Sequence, residues 1–218
     1  TVGMLIEGND GTTSPTIDME NVQIYNCSNV GVLARTGNIE GRNVVINNCG
    51  QVAFAGNFGG NYDFTHCTFA NYWPSSSQTC VVLGDDPINN VPTPLENANF
   101  KNCIIYGSSN FGIVLKKTGS NFVYNFDYSL IKFADYSNQF TNNPLYAFSN
   151  ADLYTNCLIA TNSTVNTPDF KDARNNKLII GEDSAAKGTA DYNFSSGTFD
   201  ILNNSRTNPS DIGAYNWT

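Results

Sequence analysis

Short runs of alternating apolar and polar residues recur along most of the chain, and no stretch carries a helical period. Five of the six cysteines close such a run. The runs are Val22-Gln23-Ile24-Tyr25-Asn26-Cys27, Val44-Val45-Ile46-Asn47-Asn48-Cys49, Tyr62-Asp63-Phe64-Thr65-His66-Cys67, Ala98-Asn99-Phe100-Lys101-Asn102-Cys103 and Leu153-Tyr154-Thr155-Asn156-Cys157. A sixth copy, Asn125-Phe126-Asp127-Tyr128-Ser129-Leu130-Ile131, places Ser129 where the others have Cys. Through positions 27, 49, 67, 103, 129 and 157 the steps are 22, 18, 36, 26 and 28 residues, and the longest holds a Pro-rich excursion. A second motif follows in four copies: Gly31-Val32-Leu33-Ala34-Arg35, Gln51-Val52-Ala53-Phe54-Ala55, Cys80-Val81-Val82-Leu83-Gly84 and Gly112-Ile113-Val114-Leu115-Lys116. Each period therefore predicts two or three short strands separated by Asn, Gly and Ser turns.

Self-similarity at a period of about 20 residues is the sequence form of a solenoid. One coil cannot bury its apolar face alone, so successive coils stack and equivalent side chains form files along the axis. The architecture this predicts is all-β, a right-handed parallel β-helix with an irregular C-terminal cap. Cys27, Cys49, Cys67 and Cys103 are expected in a single inward file, a normal place for free Cys. Asn26, Asn48, Asn102 and Asn156 are expected to form a hydrogen-bonded ladder, with His66 taking that place in one coil. Bridges between neighbouring coils are the alternative to reduced thiols, because stacked coils bring Cα atoms to disulfide range. Zinc is disfavoured, since there is no Cys-x-x-Cys pair and His66 is the only histidine.

Coils are expected over residues 1–167, with excursions at about 73–96 and 134–152. Residues 168–218 are read as a last strand, at 177–181, and a tail closing the open lower edge. The segment Val2-Gly3-Met4-Leu5-Ile6 begins strand-like with no leader before it, which suggests a processed product or a fragment with a preceding domain or subunit.

Composition narrows the partners. About one residue in seven is Asn, only 14% of residues are charged, and the net charge is −8. With no basic stripe, a nucleic-acid partner is not expected. No apolar run is long enough to span a bilayer, so membrane attachment would need an anchor outside this chain.

The tail carries the most specific resemblance. Pro168-Asp169-Phe170, Asp183-Ser184-Ala185-Ala186-Lys187-Gly188, Asn204-Ser205-Arg206 and Asp211-Ile212-Gly213-Ala214-Tyr215 resemble the C-terminal signature of right-handed parallel β-helix surface lipoproteins of Bacteroidetes. The coil at Asn48-Cys49-Gly50 and the runs from Cys67 to Trp73 and from Asn102 to Gly107 look like that family too. Ala185-Ala186 departs from the family's Pro-Ala, and Asn216 from its terminal Glu. The resemblance implies an extracellular or outer-surface location and a pectin-lyase-like fold. It transfers no catalytic residue, because activity does not travel with a fold.

Candidate chemistry collects where the second strand meets solvent. Placing Val32, Val52, Val81 and Ile113 in one file puts Arg35, Asp85, Asp86, Lys116 and Lys117 at adjacent corners. In a lyase acting on acidic glycans Lys116 or Arg35 would serve as base, with Ca²⁺ on Asp85 and Asp86. No other cofactor is implied. The competing and preferred reading is exposed ion pairs between coils, each contributing ~0–1 kcal/mol. For a hydrolase, no pair of acids recurs on a strand face: Asp10, Asp63, Asp127, Asp135, Asp152, Asp183 and Asp191 are read as turn residues. Tyr72 and Trp73, with Tyr62, Phe58 and Tyr136, would suit an aromatic platform for a sugar ring, the competing reading being ordinary packing of aromatics under a loop. Taken together, the chain is expected to be an exported, non-catalytic surface module presenting loops to a polysaccharide or a surface protein. The alternatives are the lyase and a structural scaffold subunit.

Overall fold

A computed structural model describes residues 1–8, 14–75, 77–119 and 121–217, so Asp10 lies outside the described residues. Each of the first five coils supplies three strands and the last supplies two. The first is β1 (Val2–Glu7), β2 (Thr16–Glu20) and β3 (Gln23–Cys27); the second is β4 (Val30–Arg35), β5 (Asn38–Arg42) and β6 (Val45–Cys49). The third is β7 (Val52–Gly56), β8 (Gly60–Thr65) and β9 (Thr68–Asn71), and the fourth β10 (Thr79–Gly84), β11 (Leu95–Lys101) and β12 (Ile104–Gly107). The fifth is β13 (Ile113–Lys116), β14 (Asn125–Asp127) and β15 (Leu130–Lys132), and the last coil contributes β16 (Tyr154–Thr155) and β17 (Leu158–Ala160).

Equivalent strands stack in parallel into three sheets: sheet I in the order β1-β4-β7-β10-β13, sheet II in the order β2-β5-β8-β11-β14-β16, and sheet III in the order β3-β6-β9-β12-β15-β17. The chain is thus an all-β, right-handed parallel β-helix, as its repeat predicts.

The corner from sheet II to sheet III explains the Asn-rich text. Asn21, Asn43, His66, Asn102, Tyr128 and Asn156 occupy that corner in successive coils, all with φ between 45° and 56°. Asn enters the left-handed region more readily than other non-Gly residues, because its short polar side chain bonds locally. Five of the six are followed by an apolar or Cys residue and one by Ser, giving the file Val22, Val44, Cys67, Cys103, Ser129 and Cys157.

That file corrects the predicted one. Cys27 pairs with Cys49 at the far end of sheet III, whereas Cys67 stands at its near end, beneath Val44. The four cysteines occupy two files rather than one. The predicted Asn ladder divides in the same way, Asn26 and Asn48 belonging to one corner and Asn102 and Asn156 to another. With the corner in phase the anomalous 18-residue step disappears, and residues on neighbouring coils lie 22, 23, 36 and 26 positions apart. In sheet I, Val32 stacks on Phe54, while Val52 pairs with Val30 and Thr79.

The core is a set of inward files. Phe64, Phe100, Phe126 and Tyr154 stack along sheet II with centroids 5.0–5.5 Å apart. Above them stands Gly41, where a Cβ would fall 2.3 Å from the Phe64 ring, so glycine leaves the ring its space. Residues 134–152 replace the sheet I strand in the last coil. They fold Phe140, Tyr146 and Phe148 beneath the solenoid, the Tyr146 hydroxyl accepting from Leu115 N at 2.8 Å. This excursion fills the lower end under sheet I.

The C-terminal tail, expected over that edge, instead runs back along the outer face of sheet III. It begins with an antiparallel pair, β18 (Phe170–Asp172) and β19 (Lys177–Ile180). Ile180, Ala186 and Ile212 pack on Ile104, Tyr106 and Leu130, and Leu178, Ala214 and Tyr215 pack on Val45 and Ala70. Sheet III is therefore apolar on both faces. Arg206, 2% exposed, fixes the strap by donating to Asn43 Oδ1, Asn216 Oδ1 and the Gly213 carbonyl, each at 3.0 Å. Gly213, at φ 98°, lies where a Cβ would meet Ile104 at 2.6 Å, and Ala214 N donates to Thr68 Oγ1. The Asp-Ile-Gly-Ala-Tyr text is the chemistry of this docking.

Candidate functional site

A concave groove lies where sheet III turns into sheet I. Asn71 closes β9 and clamps the excursion that follows: its Oδ1 accepts from Cys49 N and Trp73 N, and its Nδ2 donates to the Thr79 carbonyl. This projects Tyr72 and Trp73 sideways from the solenoid. On the opposite wall the single turn Ala173–Asn175 is held by Asn48, whose amide donates to the Arg174 carbonyl and to Asn176 Oδ1. Between the walls is a cavity of about 520 Å³ lined by Asn26, Asn48, Tyr72, Trp73, Ser108 and Arg174 among others. Tyr72 leans edge-on against Phe170 at 6.3 Å, and burial, with Tyr106 nearby, pushes its phenol well above the usual value. Asn26, Asn48, Ser108 and Arg174 thus line one concave wall with two aromatic residues, the Asn48 amide and the Ser108 hydroxyl being held by Arg174, Asn176, Gln78 and Asn71.

Of the predicted platform, only Tyr72 and Trp73 belong here. Tyr62 is fully buried, with its hydroxyl bonded to the Gly59 carbonyl. Phe58 lies under the Arg35 guanidinium at 5.1 Å. Tyr136, 66% exposed, lines a separate cavity of about 280 Å³ at the lower end.

Arg35, Asp85, Asp86, Lys116 and Lys117 share the corner from sheet I to sheet II, on the far side of β10 from Trp73. They do not converge. Arg35 and Lys116 lie three ladder steps apart along sheet I, roughly 14 Å at the usual strand spacing. Arg35 pairs with Glu7 at 2.8 Å, an exposed ion pair between neighbouring coils. The buried Asp85 carboxylate accepts from Thr118 N at 2.5 Å, Thr118 Oγ1 at 2.9 Å and Gly119 N at 2.7 Å. Burial alone would raise its carboxyl, but these donors outweigh burial and hold it below the ordinary value. Its lone pairs pin a loop and are not free for a cation. Asp86 is half-buried and Lys116 and Lys117 are exposed. Among the described residues no group of three or more acids, His or Cys is placed to hold a metal.

Sequence reading missed the outer face of sheet II. Asp63 and Asp127, read as turn acids, are strand residues. Asp18, Glu40 and Asp63 are consecutive ladder partners, and beside them run Glu20, Arg42, Thr65, Lys101 and Asp127. Paired acids therefore do recur on a strand face. Lys101 neutralises Asp63 at 2.7 Å and lies over Phe194 at 5.7 Å. Burial, then Asp191, raises the Asp127 carboxyl against the pull of Lys101. Aligning the runs on the left-handed corner residue would have exposed this face, because it sets the alternation of every sheet II strand in phase.

His66 is fully buried at that corner, its Nε2 2.8 Å from Ser195 Oγ and 3.1 Å from Asn102 Nδ2. No solvent reaches the pair, so His66 is a packing residue. Burial, then the Arg206 charge, holds the imidazole well below its usual value. A group kept neutral in the fold gives stability that is complete above the unfolded value of ~6.5 and is lost progressively below it. Thermal melts should therefore show Tm declining below about pH 6.5, and His66→Asn should remove that part of the decline while keeping the left-handed corner. An unchanged pH profile in His66→Asn would refute this assignment.

Comparison with models of protein families, with curated proteins and with solved structures finds no match to this chain. Fold and site together define a parallel β-helix protein with a lateral, aromatic-edged groove. No helix among the described residues is long and apolar enough to cross a membrane.

Proposed function

We propose that this protein is an exported, non-catalytic β-helix module of a bacterial cell surface that binds glycan in the groove between Trp73 and Arg174. The observation that carries this reading is the groove itself: two aromatic side chains beside Asn26, Asn48 and Ser108 in about 520 Å³. Pyranose rings present a C–H face that stacks on aromatic planes and an equatorial belt of hydroxyls that suits amide and hydroxyl partners. Concave sites with a few convergent polar groups are where such ligands bind. The surface location rests on the resemblance of the tail, and the resemblance leaves activity open.

A glycan array probed with the intact protein identifies the ligand, and titration then measures affinity. Trp73→Ala is expected to weaken binding about tenfold or more, a hot-spot loss of some 1.4 kcal/mol or above. An array that stays blank, or Trp73→Ala binding as wild type, counts against the proposal. Incubation with acidic polysaccharides tests the lyase alternative. A 4,5-unsaturated product that vanishes in Lys116→Ala would replace binding with catalysis as the function.

A further inference from the structure

We propose that four of the six cysteines form two defined disulfides between neighbouring coils, Cys27 with Cys49 and Cys67 with Cys103, when the chain folds in the presence of a disulfide oxidant. The inference is independent of the glycan groove. Cys27 and Cys49 are direct register partners of β3 and β6. Cys67 and Cys103 immediately precede the register partners Thr68 and Ile104, and Ile104 N donates to the Cys67 carbonyl at 2.9 Å. Neighbouring strands bring such Cα atoms to about 4.8 Å, inside the span a disulfide bridges.

Side-chain direction agrees within each couple. Cys27 and Cys49 both donate to the carbonyl two residues earlier, at 3.9 and 3.6 Å. Cys67 and Cys103 do the same at 3.4 and 3.3 Å. Gly3 and Gly31 leave room at the first couple, since a Cβ there would fall 2.7 Å from Cys27 Sγ and 3.0 Å from Cys49 Sγ.

The files also limit the connectivity. Above Cys67 stands Val44, and below Cys103 stands Ser129, whose Oγ accepts from Cys103 N. Cys157 follows Ser129 and so has no cysteine beside it in its file. Cys80 lies between the Val52–Thr79 and Phe54–Val81 pairs, opposite Ala53, and its amide bonds to the Gly112 carbonyl. Two thiols are therefore left over.

In each bridge one thiolate attacks the oxidant's disulfide and expels a thiolate. The partner thiolate then attacks the mixed disulfide and expels the second. Two cysteines lose two protons and two electrons, and the oxidant becomes two thiols. Burial, with Cys27 adjacent, pushes the Cys49 thiol up, and burial, with Cys67 adjacent, does the same to Cys103, so each couple closes during folding, before the core is sealed.

The test is to unfold and reduce the full chain and refold it with oxidised and reduced glutathione. Free thiols are then alkylated under denaturing conditions and peptides mapped by mass spectrometry. Expected are cross-linked peptides 27–49 and 67–103, with Cys80 and Cys157 alkylated. Cys49→Ser should leave the 67–103 bridge intact and Cys27 alkylated. Alkylation of all six thiols in refolded, native-like protein overturns the proposal, as does any other pairing, a Cys49–Cys80 bridge included.

Discussion

Phe100→Ala should cost about 3–5 kcal/mol of unfolding free energy, among the largest losses for a single side chain in this molecule. Phe100 is fully buried in the middle of the sheet II stack, with Phe64 at 5.3 Å, Phe126 at 5.0 Å and Phe69 edge-on at 5.7 Å. The neighbours cannot close the gap, because the rise from coil to coil is set by ladder hydrogen bonds at β8, β11 and β14. Truncation therefore leaves most of a ring-sized cavity. Urea titration at 25 °C measures the loss, with Phe100→Leu as a milder control. A loss below about 1 kcal/mol would show that the coils relax, contrary to a core this tightly packed.

Arg206→Ala should release the C-terminal strap at a cost of about 3 kcal/mol or more. Removing the guanidinium leaves Asn43 Oδ1, Asn216 Oδ1 and the Gly213 carbonyl without their donor, at ~1–3 kcal/mol for each buried group so orphaned. Burial lowers the Arg206 guanidinium to about 10 even with Asp200 and Asp211 close by, which leaves it charged at neutral pH. Arg206→Lys keeps a cation but loses the planar fork, so it should recover only part of the loss. Hydrogen exchange should quicken across residues 170–217 and the outer face of sheet III, and an apolar dye should bind where Val45, Ala70 and Ile104 are uncovered. Unchanged exchange in the tail would mean that apolar packing alone holds the strap.

The solenoid was legible in the text because its demands are local and recur. Every coil needs a left-handed residue at the sheet II corner, and Asn serves at Asn21, Asn43, Asn102 and Asn156. The phase was not legible, for the same reason. Asn26 and Asn48 also adopt positive φ and also precede Cys, but at the far end of sheet III. The two corners make one local demand and so carry one local text, which merged Cys27 and Cys49 with Cys67 and Cys103. The groove was half legible: Tyr72 and Trp73 announce an aromatic edge, but Arg174 arrives from a turn about a hundred residues away and no spacing joins them.

By itself the sequence determined an all-β coil of short parallel strands, thiols and amides recurring in each period, and an irregular tail where the repeat ends. Which coil lies over which residue, which flank the tail covers and what faces Trp73 were decided only in three dimensions. The physical reason is range. Turn conformation and strand alternation are properties of a few adjacent residues, whereas register and strap docking depend on hydrogen bonds and packing between residues that only folding brings together.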